Sequence, residues 1–155
     1  MLQAFHRRQQ SGKVRALATC KLSGNQQSSV LPGGHGNDLL SVGPGGDTLN
    51  GGNGADRFVF NRTGGGRDRI EDFASLDRLQ INALQFGGGL FANVALRADQ
   101  WVIDGIIAGS HGQFHYGTIG RVLAWDPDGN GPPTAEQIVR FTTAVSLVSG
   151  DFLIR

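Results

Sequence analysis

The sequence predicts an all-β protein built on a stacked repeat, and three observations predict it. Residues 33–59 repeat with a period of nine. Beyond residue 57 the chain breaks into short segments rich in branched and aromatic residues. No long amphipathic helical pattern separates them.

The repeat comes first. "GGHGNDLLS" (33–41), "VGPGGDTLN" (42–50) and "GGNGADRFV" (51–59) align with Gly at the second and fourth places, Asp at the sixth and an apolar residue at the eighth. Gly34, Gly43 and Gly52 coincide, as do Gly36, Gly45 and Gly54. Asp38, Asp47 and Asp56 follow, then Leu40, Leu49 and Phe58. Val42 alone breaks the pattern, standing where the other two repeats begin with Gly. A fixed short period of this kind marks stacked repeats.

Each slot has a physical reason. Gly permits the tight turn that points backbone carbonyls inward, and the Asp adds a carboxylate to that ring of oxygens. The apolar eighth residue lies on a short strand and faces the core. If two repeats make one coil, loops 18 residues apart stack about 4.8 Å apart. Calcium takes oxygen ligands at about 2.3–2.6 Å, so one ion fits between two such loops. Asp38 and Asp56 are then a natural pair, with Gly33, His35, Gly36, Gly51, Asn53 and Gly54 in the same two loops. His35 offers its backbone carbonyl rather than its ring. Asp47 requires a partner loop near 65–68.

Residues 33–59 resemble the hemolysin-type (RTX) calcium-binding repeats of secreted bacterial toxins, proteases and lipases. "GADRFVFNRTGGGRDRIEDFASLDRLQI" (54–81) is similar to the exit from the repeats in the serralysin-like metalloproteases. The resemblance implies a short parallel β-roll followed by an antiparallel β-sandwich-like C-terminal cap. It also implies Asp68 and Asp72 as ligands of a second ion opposite Asp47. Along the chain this divides into a basic arm with one worn repeat (1–30), the calcium-binding repeats (31–60) and the cap (61–155).

In the cap region "RFVF", "DRLQI", "WVIDGII", "FHYG", "RVLAW", "IVRFTTAVSL" and "DFLI" read as strands, and "NALQF" as one short helical turn. Gly-rich breaks at 64–66, 87–89 and 129–131 punctuate them. "DPDGNG" places Asp126, Asp128 and Asn130 as in the first half of an EF-hand loop. Gln137 stands at the twelfth place, however, and a strand-like segment precedes the loop. A hairpin turn is the preferred reading and an ion the alternative.

Catalytic patterns are missing. "HGQFH" (111–115) has Gly112 where a zinc-protease helix needs Glu, so His111 and His115 read as ordinary residues. No Ser lies in a Gly-x-Ser-x-Gly turn. No catalysis is expected from this chain.

Charge divides the chain in two. Residues 1–37 carry Arg7, Arg8, Lys13, Arg15 and Lys21 and no acid, while the remainder holds all thirteen acids and nine bases. Five bases without interleaved aromatics do not suggest nucleic-acid binding. No apolar run approaches the roughly 20 residues that span a bilayer. "SGNQQSSVL" (23–31) lies in frame with the repeats, Leu31 on the apolar slot, but without the paired glycines and the Asp. Cys20 alone excludes an internal disulfide, and a secreted domain without disulfides needs another staple, for which a metal is a usual choice. The N-terminus has no secretory h-region, and Lys13 and Arg15 rule out a lipoprotein site at "LATC". The resemblance supplies another export route. Asp151, Phe152, Leu153 and Ile154 match the C-terminal type I secretion signal of the family, although Arg155 extends one residue further and a final packed strand is equally compatible.

The function expected is a secreted, extracellular bacterial calcium-binding module that folds on binding Ca2+, with type I secretion machinery as its partner. The alternative is the C-terminal part of a serralysin-like metalloprotease, or of another RTX hydrolase or toxin, whose effector domain is missing. An abrupt start before three repeats suits such a remnant.

Overall fold

Apolar side chains spaced nine residues apart decide how this chain folds. In the computed structural model, which describes residues 19–63, 66–105, 110–129 and 135–155, the first seven strands alternate between two sheets. β1 (Lys21–Ser23), β3 (Leu39–Ser41), β5 (Arg57–Phe60) and β7 (Arg78–Ile81) lie side by side in one sheet. β2 (Val30–His35), β4 (Thr48–Asn53) and β6 (Asp68–Ile70) form part of the other. All of these pairings are parallel. Leu40, Phe58 and Leu79 are stacked in register on one sheet, and Leu31, Leu49 and Ile70 on the other. All six are buried, and they meet in the space between the sheets. Each contributes roughly 1.5–3 kcal/mol of burial, which offsets the ordering cost of glycine-rich loops.

The coil begins before the first complete repeat. Leu22 of β1 is the register partner of Leu40, and Leu31 of the worn repeat is buried. Apolar residues at the right slots thus make a coil without the repeat Asp and with only Gly24, whose Cβ would lie 2.6 Å from Asp47 Oδ2.

The later strands extend the same two sheets. α1 (Ala83–Phe86) is a single turn capped by the Asn82 side chain, which accepts from Gln85 N, and Gly87 ends it at φ 66°. β8 (Trp101–Ile103), β9 (Gln113–Gly117), β10 (Val122–Asp126) and β11 (Glu136–Phe141) follow, and β12 (Phe152–Ile154) closes the chain. β11 lies parallel to β6 and antiparallel to β10, and β10 is antiparallel to β9, but β9 pairs parallel with β8, so the expected antiparallel cap is a mixed sheet. The completed sheets have five strands, β1-β3-β5-β7-β12, and seven, β2-β4-β6-β11-β10-β9-β8. The protein is thus all-β, mostly strand with almost no helix. No helix among the described residues is long and apolar enough to cross a membrane.

Two local expectations differ from the structure. "IVRFTTAVSL" ends as a strand at Phe141; Thr142 makes the last contacts to the neighbouring β6 segment, its N–H donating to Ile70 O and its hydroxyl to Glu71 O. "WVIDGII" ends as a strand at Ile103, where Asp104 takes φ 45° and its carboxylate caps Thr118. The tail packs as a final strand: Phe152 and Ile154 are buried and β12 pairs with β7. Asp151, just before it, accepts from Val148 N at 2.9 Å and lies 3.7 Å from the Arg78 guanidinium.

Aromatic rings join the two halves. Phe58 meets Phe73, Phe73 meets Phe141, and Phe141 meets Tyr116, at centroid distances of 6.0, 5.4 and 5.9 Å. Tyr116 stacks on Trp101, and Phe152, Phe114 and Trp125 continue the row. Trp125 donates its indole N–H to Phe86 O at 3.1 Å, which satisfies the one polar atom of a buried ring.

Candidate functional site

The Asp of each repeat stands two residues before a core residue, so stacking of the core also stacks the carboxylates. On one side of the coil the loops are 33–38, 51–56 and 72–77, with Asp38, Asp56 and Asp77 at equivalent places; all three are buried. Each carboxylate Oδ1 accepts a backbone N–H from the preceding coil. Asp77 bonds Asp56 N at 2.9 Å, Asp56 bonds Asp38 N at 2.8 Å, and Asp38 bonds Cys20 N at 2.7 Å. Opposite them runs a second column: Asp68 bonds Asp47 N and Asp47 bonds Ser29 N, both at 2.8 Å.

The second oxygens separate these residues. Asp47 Oδ2 accepts from Gly43 N at 3.0 Å, and Asp77 Oδ2 from Ala74 N at 2.8 Å. Asp38 Oδ2 and Asp56 Oδ2 are buried and have no partner among the described residues. A buried acceptor left so costs on the order of 1–3 kcal/mol, more when charged. Both face glycine. A Cβ on Gly33 would lie 2.5 Å from both Asp38 Oδ2 and the Gly51 carbonyl oxygen, and one on Gly51 would lie 2.2 Å from Asp56 Oδ2. The first two oxygens are therefore at most about 5 Å apart. Carboxylate and carbonyl oxygens with no nitrogen or sulfur among them form the donor set of a hard cation.

Burial dominates the electrostatics. It raises the Asp56 carboxyl above 3.8, reinforced by the nearby Asp77, Asp38 and Asp72 carboxylates and opposed by the Asp38 N–H. It also raises Asp77, against hydrogen bonds from Asp56 N and Ala74 N. Asp68 is pushed up to about 6, chiefly by burial and secondarily by Asp47, while the Asp47 N–H and Arg62 oppose the shift. A raised carboxyl favours the protonated folded state, so its stability is fully present below the unfolded value and is lost as pH rises through the folded one. Metal-free protein should therefore lose stability between about pH 4 and 6, and Asp68→Asn should flatten that slope. The folded fraction in EDTA, followed by far-UV circular dichroism at several pH values, checks this; an Asp68→Asn pH dependence equal to that of the wild type would contradict it.

The loops are straighter than turns read from sequence. Gly33, Gly34 and His35 belong to β2, and Gly51, Gly52 and Asn53 to β4. Gly36 N donates to Asn53 O at 2.9 Å, so that carbonyl already has a partner. The His35 ring meets the Asn53 amide at 3.1 Å on the exposed side, outside the carboxylate column. At Gly54, φ is +144° and a Cβ would lie 2.0 Å from Gly36 O.

Asp68 and Asp72 do not share a place. Asp68 stands at Asp47, whereas Asp72 accepts from Gly51 N at 2.9 Å and Gly52 N at 2.7 Å, on the side of Asp56 and Asp77. Asp72 occupies the first slot of the third loop, where the earlier loops have Gly33 and Gly51. Asp77, which sequence reading left out of the site, does carry a signal. It precedes Leu79 by two residues, as Asp38 precedes Leu40, but follows Asp56 by 21 residues instead of 18.

The other candidates lie elsewhere. Asp126 is buried and its Oδ1 accepts from Asp128 N and Gly129 N, which closes the turn; Asn130 lies outside the described residues. His111 Nε2 is 3.3 Å from Asp99 Oδ2 at the surface. Among the described residues no three or more His, Cys, Asp or Glu side chains gather as a metal-binding group. Loops 33–38 and 51–56 each carry one carboxylate, and loop 72–77 carries two, Asp72 and Asp77.

No protein-family model matches this chain, and no curated protein matches it.

Proposed function

We propose that this chain is a secreted calcium-binding module of the hemolysin-type (RTX) repeat class, a parallel β-roll with a C-terminal cap that folds as it binds Ca2+. One observation carries the reading. The two carboxylates paired by the nine-residue period, Asp38 and Asp56, each keep one buried oxygen without a partner in front of a glycine. The Oδ1 atoms tie the coils together, but the Oδ2 atoms are a cost by themselves, since like charges are buried and acceptors left unpaired. A divalent cation held by Asp38, Asp56 and the facing carbonyls would reverse both penalties, so binding energy becomes folding energy. Affinities near 10⁻⁴–10⁻³ M are typical of extracellular calcium modules. They would leave the chain loose in a low-calcium cell and ordered outside. Asp68 with Asp47 is the second place for an ion. Residues 151–154 serve in this reading both as a packed strand and as the segment read by type I secretion machinery. The chain itself carries no catalysis.

Far-UV circular dichroism and thermal melting in EDTA, calcium and magnesium test the proposal. Calcium at 100 times its dissociation constant should stabilise the fold by about 2.7 kcal/mol for each ion bound only by the folded state. Magnesium, which demands near-octahedral coordination at about 2.0–2.1 Å, should do far less. A cooperative melt in EDTA that calcium does not move would rule the proposal out.

A further inference from the structure

Each sheet sets two arginines side by side. Arg57 of β5 is the register partner of Arg78 of β7, and Arg69 of β6 that of Arg140 of β11. Residues paired across parallel strands share a face at about 4.8 Å, and like charges so placed are destabilising. The first pair is compensated. Arg78 Nη1 donates to Ser75 O at 3.2 Å and Asp77 O at 2.6 Å, and lies 3.7 Å from Asp151 Oδ1.

The second pair is not. Arg69 and Arg140 are both exposed, and their strand neighbours Asp68, Ile70, Val139 and Phe141 are buried, so both guanidinium groups are on the outer face. Neither forms a hydrogen bond or ion pair among the described residues. Glu71, the residue just after β6 and two after Arg69, accepts instead from Asn50 Nδ2 at 3.4 Å. Thr48 of β4, the register partner of Arg69 on its other side, sets a hydroxyl beside them.

We propose that Arg69 and Arg140 form a binding site for a multiply charged oxyanion, a phosphate or sulfate group borne by an external ligand. Guanidinium is planar, always charged and weakly hydrated, and its donors match such oxygens in pairs. Two forks one strand apart engage different oxygens of one tetrahedral group, and the bound charge removes the repulsion between them. Arg57 and Arg78 have the same spacing, but Arg78 is already committed to Asp151 and two carbonyls, so the anion selects the pair on the seven-stranded sheet.

The test follows the arginine Nε–Hε signals of the full chain by NMR during titration with inorganic sulfate and, in parallel, inorganic phosphate. Chloride at matched ionic strength is the reference. Saturable shifts of Arg69 and Arg140, with Arg57 and Arg78 unmoved, are the expected result, and Arg69→Gln should weaken the response at Arg140 about tenfold. The tighter of the two anions identifies the ester class. Equal movement of all four signals, movement matched by chloride, or no movement would overturn the proposal.

Discussion

Gly52→Ala should destabilise the protein by about 2–5 kcal/mol, while Gly34→Ala, at the same place in the preceding loop, should cost only about 1–2 kcal/mol. Both glycines have positive φ, +89° and +105°, so both substitutions carry backbone strain. They differ in what a methyl group meets. At Gly52 it would lie 2.0 Å from Gly34 O and 3.0 Å from Gly34 Cα, whereas at Gly34 nothing lies within 4 Å. The atoms it meets are backbone, which cannot rotate away, so loops 33–38 and 51–56 would have to separate. In a domain whose whole stability is about 5–15 kcal/mol the larger loss is close to unfolding. Urea midpoints of the two variants decide the matter, and equal losses would mean that the loops do not stack this closely.

The second large effect belongs to Phe141. Its ring is buried at the place where β11 joins the parallel strands to the antiparallel ones, between Phe73 at 5.4 Å and Tyr116 at 5.9 Å. Truncation of a buried Phe typically costs about 3–5 kcal/mol, and loss of aromatic pairs adds to that. Phe141→Ala should fall in that range or fail to fold. Phe91→Ala, on a side chain that is 65% exposed, should stay within about 0.5 kcal/mol. Denaturant unfolding of both variants measures the contrast; a small loss for Phe141→Ala would show that the aromatic row does not couple the two halves.

Legibility in the sequence followed the period. Where the spacing is nine, strands, core and carboxylates are placed directly: Leu40 over Phe58, Leu31 over Leu49, and Asp38 beside Asp56. At 61–67 and 71–77 the step lengthens to 21 residues, so a count of nine or eighteen misses Asp77 and only its distance from Leu79 points to it. Long-range pairing was least legible. Nothing local in "IVRF" marks it as the parallel neighbour of "DRI" some seventy residues earlier, because the choice is made by Phe73, Phe141 and Tyr116 packing in three dimensions. Likewise the unpartnered oxygens of Asp38 and Asp56 are invisible in a sequence where Asp47 carries the same motif; only the Gly43 N–H, which serves Asp47 alone, tells them apart.

The most direct measurement is a calorimetric calcium titration of the wild type, Asp38→Asn, Asp56→Asn and Asp126→Asn. Asn keeps an oxygen for the N–H of Cys20 or Asp38 and replaces the charge and the unpartnered acceptor with an amide NH2, which cannot ligate a cation. An ion held between loops 33–38 and 51–56 predicts a loss of at least about tenfold in affinity for Asp38→Asn and for Asp56→Asn, with Asp126→Asn binding as the wild type does. Wild-type affinity in both loop variants, or no calcium binding by the unaltered chain, would contradict it.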